Sequence, residues 1–107
     1  MPRQSESKFY TSIKKDLDAI PNSWLVRIQQ LGHSGTPDLI MCINGHFVAL
    51  ELKKSANAKG TRLQRYNIDK IQGAFGYAAI VHPDNWDLVF FQLKELSKKR
   101  IGVRTYD

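Results

Sequence analysis

The dipeptide Asn44-Gly45 constrains this chain more than any other feature. Asn followed by Gly accepts the left-handed backbone needed at both central positions of a two-residue β-hairpin turn. Apolar runs flank it, residues 39–43 before and 47–50 after, so the segment is expected to form two antiparallel strands. With Asn44 and Gly45 as the turn, Ile43 pairs with His46, and counting back along both strands sets Asp38 directly opposite Glu51. The Cβ atoms of such a pair lie about 4.5–5.5 Å apart on one face, and like charges placed there repel. A bound divalent cation would offset that repulsion. Lys53 shares the face of Glu51, because strand side chains alternate. Ile40, Cys42, Phe47 and Ala49 share it too, so the two carboxylates sit at the end of an apolar face, where unpaired charge is costly.

The composition fits a single globular domain spanning residues 1–107, with 42% hydrophobic and 24% charged residues. No stretch approaches the roughly 18 apolar residues of a membrane helix, and the first eight residues have no apolar signal-peptide region. Cys42 is the only cysteine, which excludes an internal disulfide and leads us to expect an intracellular protein. Within its apolar strand, Cys42 reads as a small core residue. The net charge is +6, which suits a polyanionic partner. Lys53, Lys54, Lys59, Arg62 and Arg65 fall in an acid-free segment, residues 52–68, whereas Glu6, Asp16, Asp18 and Asp38 all precede the turn. A basic segment leaving an acidic hairpin is what a binder of phosphate backbone with a metal site requires.

The expected order is helix, strand, strand, strand, helix, strand, strand, helix. The first helix is placed at residues 5–20, with Phe9, Ile13, Leu17 and Ile20 as its apolar stripe, stopping at Pro21-Asn22. Residues 24–31 read as a strand and 32–37 as a loop with two glycines and a proline. After the hairpin, residues 55–61 read as a loop. Residues 62–75 read as a helix with Ile68, Ile71 and Phe75 facing inward. Residues 77–81 read as a buried strand, 82–85 as a turn, 86–91 as the last strand, and 93–99 as a terminal helix. This order implies an α/β fold with a central mixed sheet flanked by helices.

Asp38 and Glu51 offer hard oxygen ligands of the kind Mg²⁺ or Mn²⁺ prefers. The Lys53 ammonium could hold an attacking water or neutralise charge developing on a phosphoryl group. Glu6 lies on the inward stripe of the first helix, either as a third ligand or as an acid favoured there by the helix dipole. Gln64 precedes Ile68, Ile71 and Phe75 at helical spacing; a buried amide there needs a partner, which could be a metal-bound water, a phosphate or backbone. His33 and Ser34 could each touch a phosphate, and His46 and His82 read as turn residues. The histidines and the cysteine show no zinc-ligand spacing, and no G-x-S-x-G nucleophile elbow is present.

Gly35-Thr-Pro-Asp38 followed by Ala49-Leu-Glu51-Leu-Lys53 resembles the signature of the PD-(D/E)xK nucleases. More narrowly, the chain is similar to the virus-type replication-repair nuclease domain, VRR-NUC. The resemblance spans roughly residues 5–82 and rests on Glu6 in the first helix, Gly35 with Pro37-Asp38, Glu51 with Lys53, and Gln64 opening the next helix. It departs from the family pattern only conservatively, with Leu50 and Leu52 where β-branched residues are common.

The resemblance implies a restriction-endonuclease-like core and a Mg²⁺- or Mn²⁺-dependent DNA endonuclease. Glu6, Asp38, Glu51 and the Leu52 carbonyl would hold the metal, Asp38, Glu51, Lys53 and Gln64 would be catalytic, and His33, Ser34, Lys54, Lys59, Arg62 and Arg65 would bind DNA. The family's small stand-alone members, often from phages, resemble Holliday-junction resolvases of repair and recombination. A homodimer acting on four-way junctions in a bacterial cytoplasm is therefore the expectation. Trp86 and Phe90-Phe91 are candidates for the dimer surface. A non-catalytic DNA-binding module with this fold and a repair or restriction-type nuclease are the alternatives.

Overall fold

The computed structural model describes residues 2–28 and 35–99, with side chains from Ser7 onward. The elements are α1 (Pro2–Asp18), β1 (Ser23–Arg27), β2 (Leu39–Ile43), β3 (His46–Leu52), α2 (Arg62–Gly73), β4 (Tyr77–Val81) and α3 (Trp86–Leu96). The four strands form one mixed sheet in the order β1-β2-β3-β4. The first two pairings are antiparallel, and β3 runs parallel to β4 through the α2 crossover.

The Asn-Gly turn forms as expected. Asn44 has φ 53° and Gly45 φ 94°, and Ile43 pairs with His46. The Asn44 side chain donates to the Ser97 carbonyl at 2.9 Å, and a His46 ring nitrogen contacts the Lys99 carbonyl, so the turn also closes the C-terminal end of α3. Alternation along the strands sorts residues to two covered faces. Leu39, Met41, Ile43, Val48, Leu50, Leu52 and Val81 face α1 and α3, packing on Phe9, Ile13, Leu17, Ile20, Trp86, Val89 and Leu93. Ala49 and Ala78 face α2, meeting Ile68, Ile71 and Ile80. Cover on both sides explains why β3 is buried continuously from Val48 to Leu52.

Several expectations from the sequence are overturned. Residues 86–91 are not a strand but open α3, which absorbs the expected terminal helix. Their aromatic and β-branched content suggests β structure, but Trp86, Val89 and Leu93 fall on one helical face and bury together against α1 and the sheet. Trp86 packs edge-on to Phe9, stacks on Phe90 at 5.6 Å, and donates from Nε1 to Asp16 at 2.8 Å. Trp86 is thus buried rather than an exposed candidate for a dimer surface, Phe90 packs partly against the core, and Phe91 remains exposed. Nor do Cys42 and Phe75 face inward. Cys42 is exposed because α2 covers β3 and β4 but leaves this part of the sheet open. Phe75 lies just past the end of α2 with φ 68°, which turns its side chain outward. The first strand ends at Arg27, and its expected continuation over 29–31 lies outside the described residues.

The two readings of residues 86–91 differ in which side chains they bury. The helix predicts that Leu93→Ala lowers unfolding free energy by about 2–5 kcal/mol, while Leu88→Ala, on the exposed side, changes it by about 0.5 kcal/mol or less. Denaturant unfolding of the two variants checks this, since a strand would bury Leu88 with Trp86.

Candidate active site

The site forms where β2 begins and β3 ends. Residues 35–37 deliver Asp38 into it. Gly35 has φ 100° and is buried so tightly that an added Cβ would lie 2.4 Å from Leu63 Cγ. Its carbonyl accepts from Asn67 Nδ2 at 2.7 Å. Two residues of α2 therefore seat the turn that leads to Asp38. The Asp38 carbonyl accepts from the Ile28 amide at 2.7 Å, continuing the β1–β2 ladder by one step.

The register found for the hairpin runs from Ile43–His46 to Leu39–Leu50, so Asp38 and Glu51 are the next positions along it. Asp38 Oδ2 accepts from the Leu52 amide at 2.8 Å. Glu51 is only 4% exposed. Its Oε2 accepts from Gln64 Nε2 at 2.7 Å and lies 3.5 Å from Lys53 Nζ. Its Oε1 is buried with no hydrogen-bond partner among the described residues. Burial raises the Glu51 pKa from 4.5 to about 7, the Asp38 charge adds to the rise, and Lys53 opposes it.

Gln64 holds Glu51 while serving as part of a helix cap. The Gln64 amide donates to Thr61 Oγ1 at 3.1 Å, and the Thr61 amide donates to Gln64 Oε1 at 2.8 Å. This reciprocal capping box fixes the first turn of α2 and leaves Nε2 free to reach the carboxylate. The pattern Thr61-x-x-Gln64 is visible in the sequence, so the cap was legible there. The roles of Leu63 and Asn67 were not, because they depend on how α2 lies across the sheet.

Asp38, Glu51, Lys53 and Gln64 thus come together as expected. Leu52 contributes its amide to Asp38 and buries its side chain in the main core. Lys54, Lys59, Arg62 and Arg65 are exposed on the segment from the end of β3 to the first turn of α2, and Arg65 donates to the Gly60 carbonyl at 2.8 Å. The Glu6 side chain, His33 and Ser34 lie outside the described residues. Among the described residues no group of three or more His, Cys, Asp or Glu side chains gathers, so the acidic part of the site is the Asp38–Glu51 pair. Both carboxylates are hard donors, and the orphaned Oε1 of Glu51 is an acceptor with nothing to accept. The residues present fit a divalent cation.

A mixed sheet flanked by helices, with paired carboxylates and a lysine where β2 begins and β3 ends, is an α/β fold. Among solved structures the chain resembles one described as "VRR_NUC domain", with TM-score 0.65, 21% identity, and coverage of 88% of this chain and 95% of that one. A second, described as "VRR_NUC domain protein", gives TM-score 0.64 and 19% identity, covering 85% of this chain and 88% of that one. The chain has the VRR_NUC fold. No family model and no curated protein matches the sequence.

The raised Glu51 pKa sets a pH dependence. The folded state holds this proton more tightly than the unfolded chain, so the favourable contribution is complete below about pH 4.5 and is lost as pH rises through about 7. Glu51→Gln, which mimics the protonated acid, should therefore gain stability relative to wild type between pH 5 and pH 8, by up to about 3 kcal/mol. Urea unfolding of both proteins in EDTA reads this directly, and parallel pH profiles would contradict it.

Proposed function

We propose that this chain is a divalent-metal-dependent DNA endonuclease of the VRR-NUC kind, hydrolysing phosphodiester bonds. The observation that carries the reading is the buried Glu51, one oxygen orphaned and the other held by Gln64 and Lys53, beside Asp38 at the end of the hairpin. The fold shared with VRR_NUC structures supports it.

Asp38, Glu51, the Leu52 carbonyl and Glu6 would hold Mg²⁺ or Mn²⁺. Such an ion supplies polarisation of a phosphoryl oxygen and a water of lowered pKa. Gln64 fixes the Glu51 carboxylate and so sets where its free oxygen points. The Asp38–Leu52 hydrogen bond fixes the other carboxylate. Lys53 places a positive charge beside the pair and can steady charge developing on the phosphate or hold the attacking water. Lys54, Lys59, Arg62 and Arg65, exposed between the end of β3 and the first turn of α2, would contact phosphates, as would His33 and Ser34. No base-reading element is evident among these residues, so DNA shape rather than sequence sets selectivity. The resemblance to stand-alone resolvases supports a homodimer acting on four-way junctions, where two-fold symmetry would pair two nicks. The same resemblance favours action inside a bacterial cell.

A labelled four-way junction and a linear duplex of the same sequence, each with Mg²⁺, Mn²⁺ or EDTA, test the reading. Symmetric nicks in the junction are expected with metal, absent in EDTA, and reduced at least about 100-fold by Asp38→Ala or Lys53→Met. Salt-sensitive binding with no cutting in either metal would make the chain a DNA-binding module instead.

Phosphate contacts also leave a mark on salt dependence. Replacing Lys54 or Arg62 by Ala should weaken DNA binding to all sequences alike and reduce the slope of log K against log salt by about 1. Fluorescence anisotropy across a salt series measures it.

A further inference from the structure

Trp24, Cys42 and Phe47 stand opposite one another across β1, β2 and β3, forming one row on the sheet. By strand alternation this row shares the face of Asp38 and Glu51. It is open: Trp24 is 61% exposed, Phe47 45%, and Cys42 is exposed as well. The turn at the end of α2 abuts it, since an added Cβ on Gly76 would come within 3.2 Å of Phe47. Beside that glycine stands Phe75, 98% exposed and in the left-handed backbone at φ 68°. A helix commonly ends in this conformation with glycine. A bulky residue there bears strain, and Phe75 recovers none of it by burial.

We propose that this row, with Phe75, is a stacking platform for unpaired bases of a DNA strand whose backbone runs on to the carboxylate site. The proposal rests on the nuclease reading of that site and extends it to the substrate. Three observations select a nucleic acid over a second copy of the chain. The large exposed residues of the patch are flat aromatic rings, which stack on any base. The chain carries a net charge of +6, which attracts a polyanion. The row also adjoins the site along β2, where it lies four residues from Asp38 with half-buried Ile40 between them, whereas along β3 Ala49 is buried under α2. The β2 separation is about 13 Å at the strand rise, and roughly four nucleotides at the rise of stacked DNA. The substrate therefore carries an unpaired segment of at least about four nucleotides beside the bond to be cut. A four-way junction offers this only where its branch point opens.

The single cysteine makes the test direct, because Cys42 sits between the two rings. The probes are a twelve-nucleotide oligothymidylate and a blunt duplex of twelve base pairs, both in EDTA so that nothing is cut. The oligothymidylate should slow modification of Cys42 by an aromatic disulfide reagent at least about tenfold and quench the emission of exposed Trp24; the duplex should do neither. Trp24→Ala and Phe47→Ala should each weaken oligothymidylate binding roughly 5- to 100-fold. Trp24→Phe, which keeps a flat ring, should restore most of the affinity. Emission from buried Trp86 reports that each variant is folded.

Equal Cys42 protection by the duplex, or alanine variants that bind like wild type, would overturn the proposal. So would a DNA-free protein whose Cys42 becomes protected as its concentration rises, together with a doubled mass, because the face would then join two copies. Wild type that protects Cys42 with oligothymidylate but cuts nothing in Mg²⁺ or Mn²⁺ would remove the nuclease reading and leave the platform standing. Wild type that cuts while its Trp24→Ala variant binds oligothymidylate unchanged would do the reverse.

Discussion

Glu51 is a carboxylate taken almost wholly out of water beside a second carboxylate, with one of its oxygens left without a partner. Burying such a group unpaired is among the costlier things a small domain can do. The surrounding structure bears that cost in identifiable ways. Gln64 donates to Oε2, Lys53 lies within ion-pair distance, and the raised pKa lets the pair keep a proton when no cation is at hand. Leu50 and Leu52 on either side face the opposite, apolar core, whereas Glu51 lies on the face of Asp38. The persistence of a charge here, facing Asp38, points to chemistry.

The helix α2 links the two carboxylates. Through Gln64 it holds Glu51, and through Leu63 and Asn67 it seats the turn before Asp38. Its own first turn is fixed by the capping box that uses the same Gln64. The far end of the hairpin is tied separately, by Asn44 and His46 to the end of α3. The hairpin is thus pinned at both ends by different helices, and the core beneath it, from Leu39 to Val81, is built from α1, α3 and the sheet. Placing a site on rigid strands anchored in this way suits a metal centre, whose ligands must hold their geometry before the ion arrives.

Local sequence carried the hairpin. Asn44-Gly45 admits few backbone conformations, and once the turn is set a one-residue slip would turn every buried side chain of β2 and β3 to the opposite face. The register, and with it the Asp38–Glu51 pair, follows from that constraint. The stripe of α1 was largely legible, since Phe9, Ile13 and Leu17 are buried along it, although the helix ends at Asp18 and Ile20 is buried in the turn beyond it rather than on the helix. The segment from Trp86 was misread because aromatic and β-branched residues favour strands in the abstract. There, burial of Trp86, Val89 and Leu93 on one helical face outweighed local preference.

Chain-local chemistry determined the turn, the pairing of two acids and a lysine, the capping box at Thr61, and the excess of positive charge that follows β3. These depend on spacing between near neighbours and on backbone preferences, which the sequence states outright. Only the tertiary structure decided that α2 covers half of the sheet and leaves Trp24, Cys42 and Phe47 open, that Phe75 turns outward, and that Asn67 reaches Gly35. Those outcomes depend on where a helix comes to rest across strands distant in sequence, a balance of packing over the whole core that no short pattern encodes.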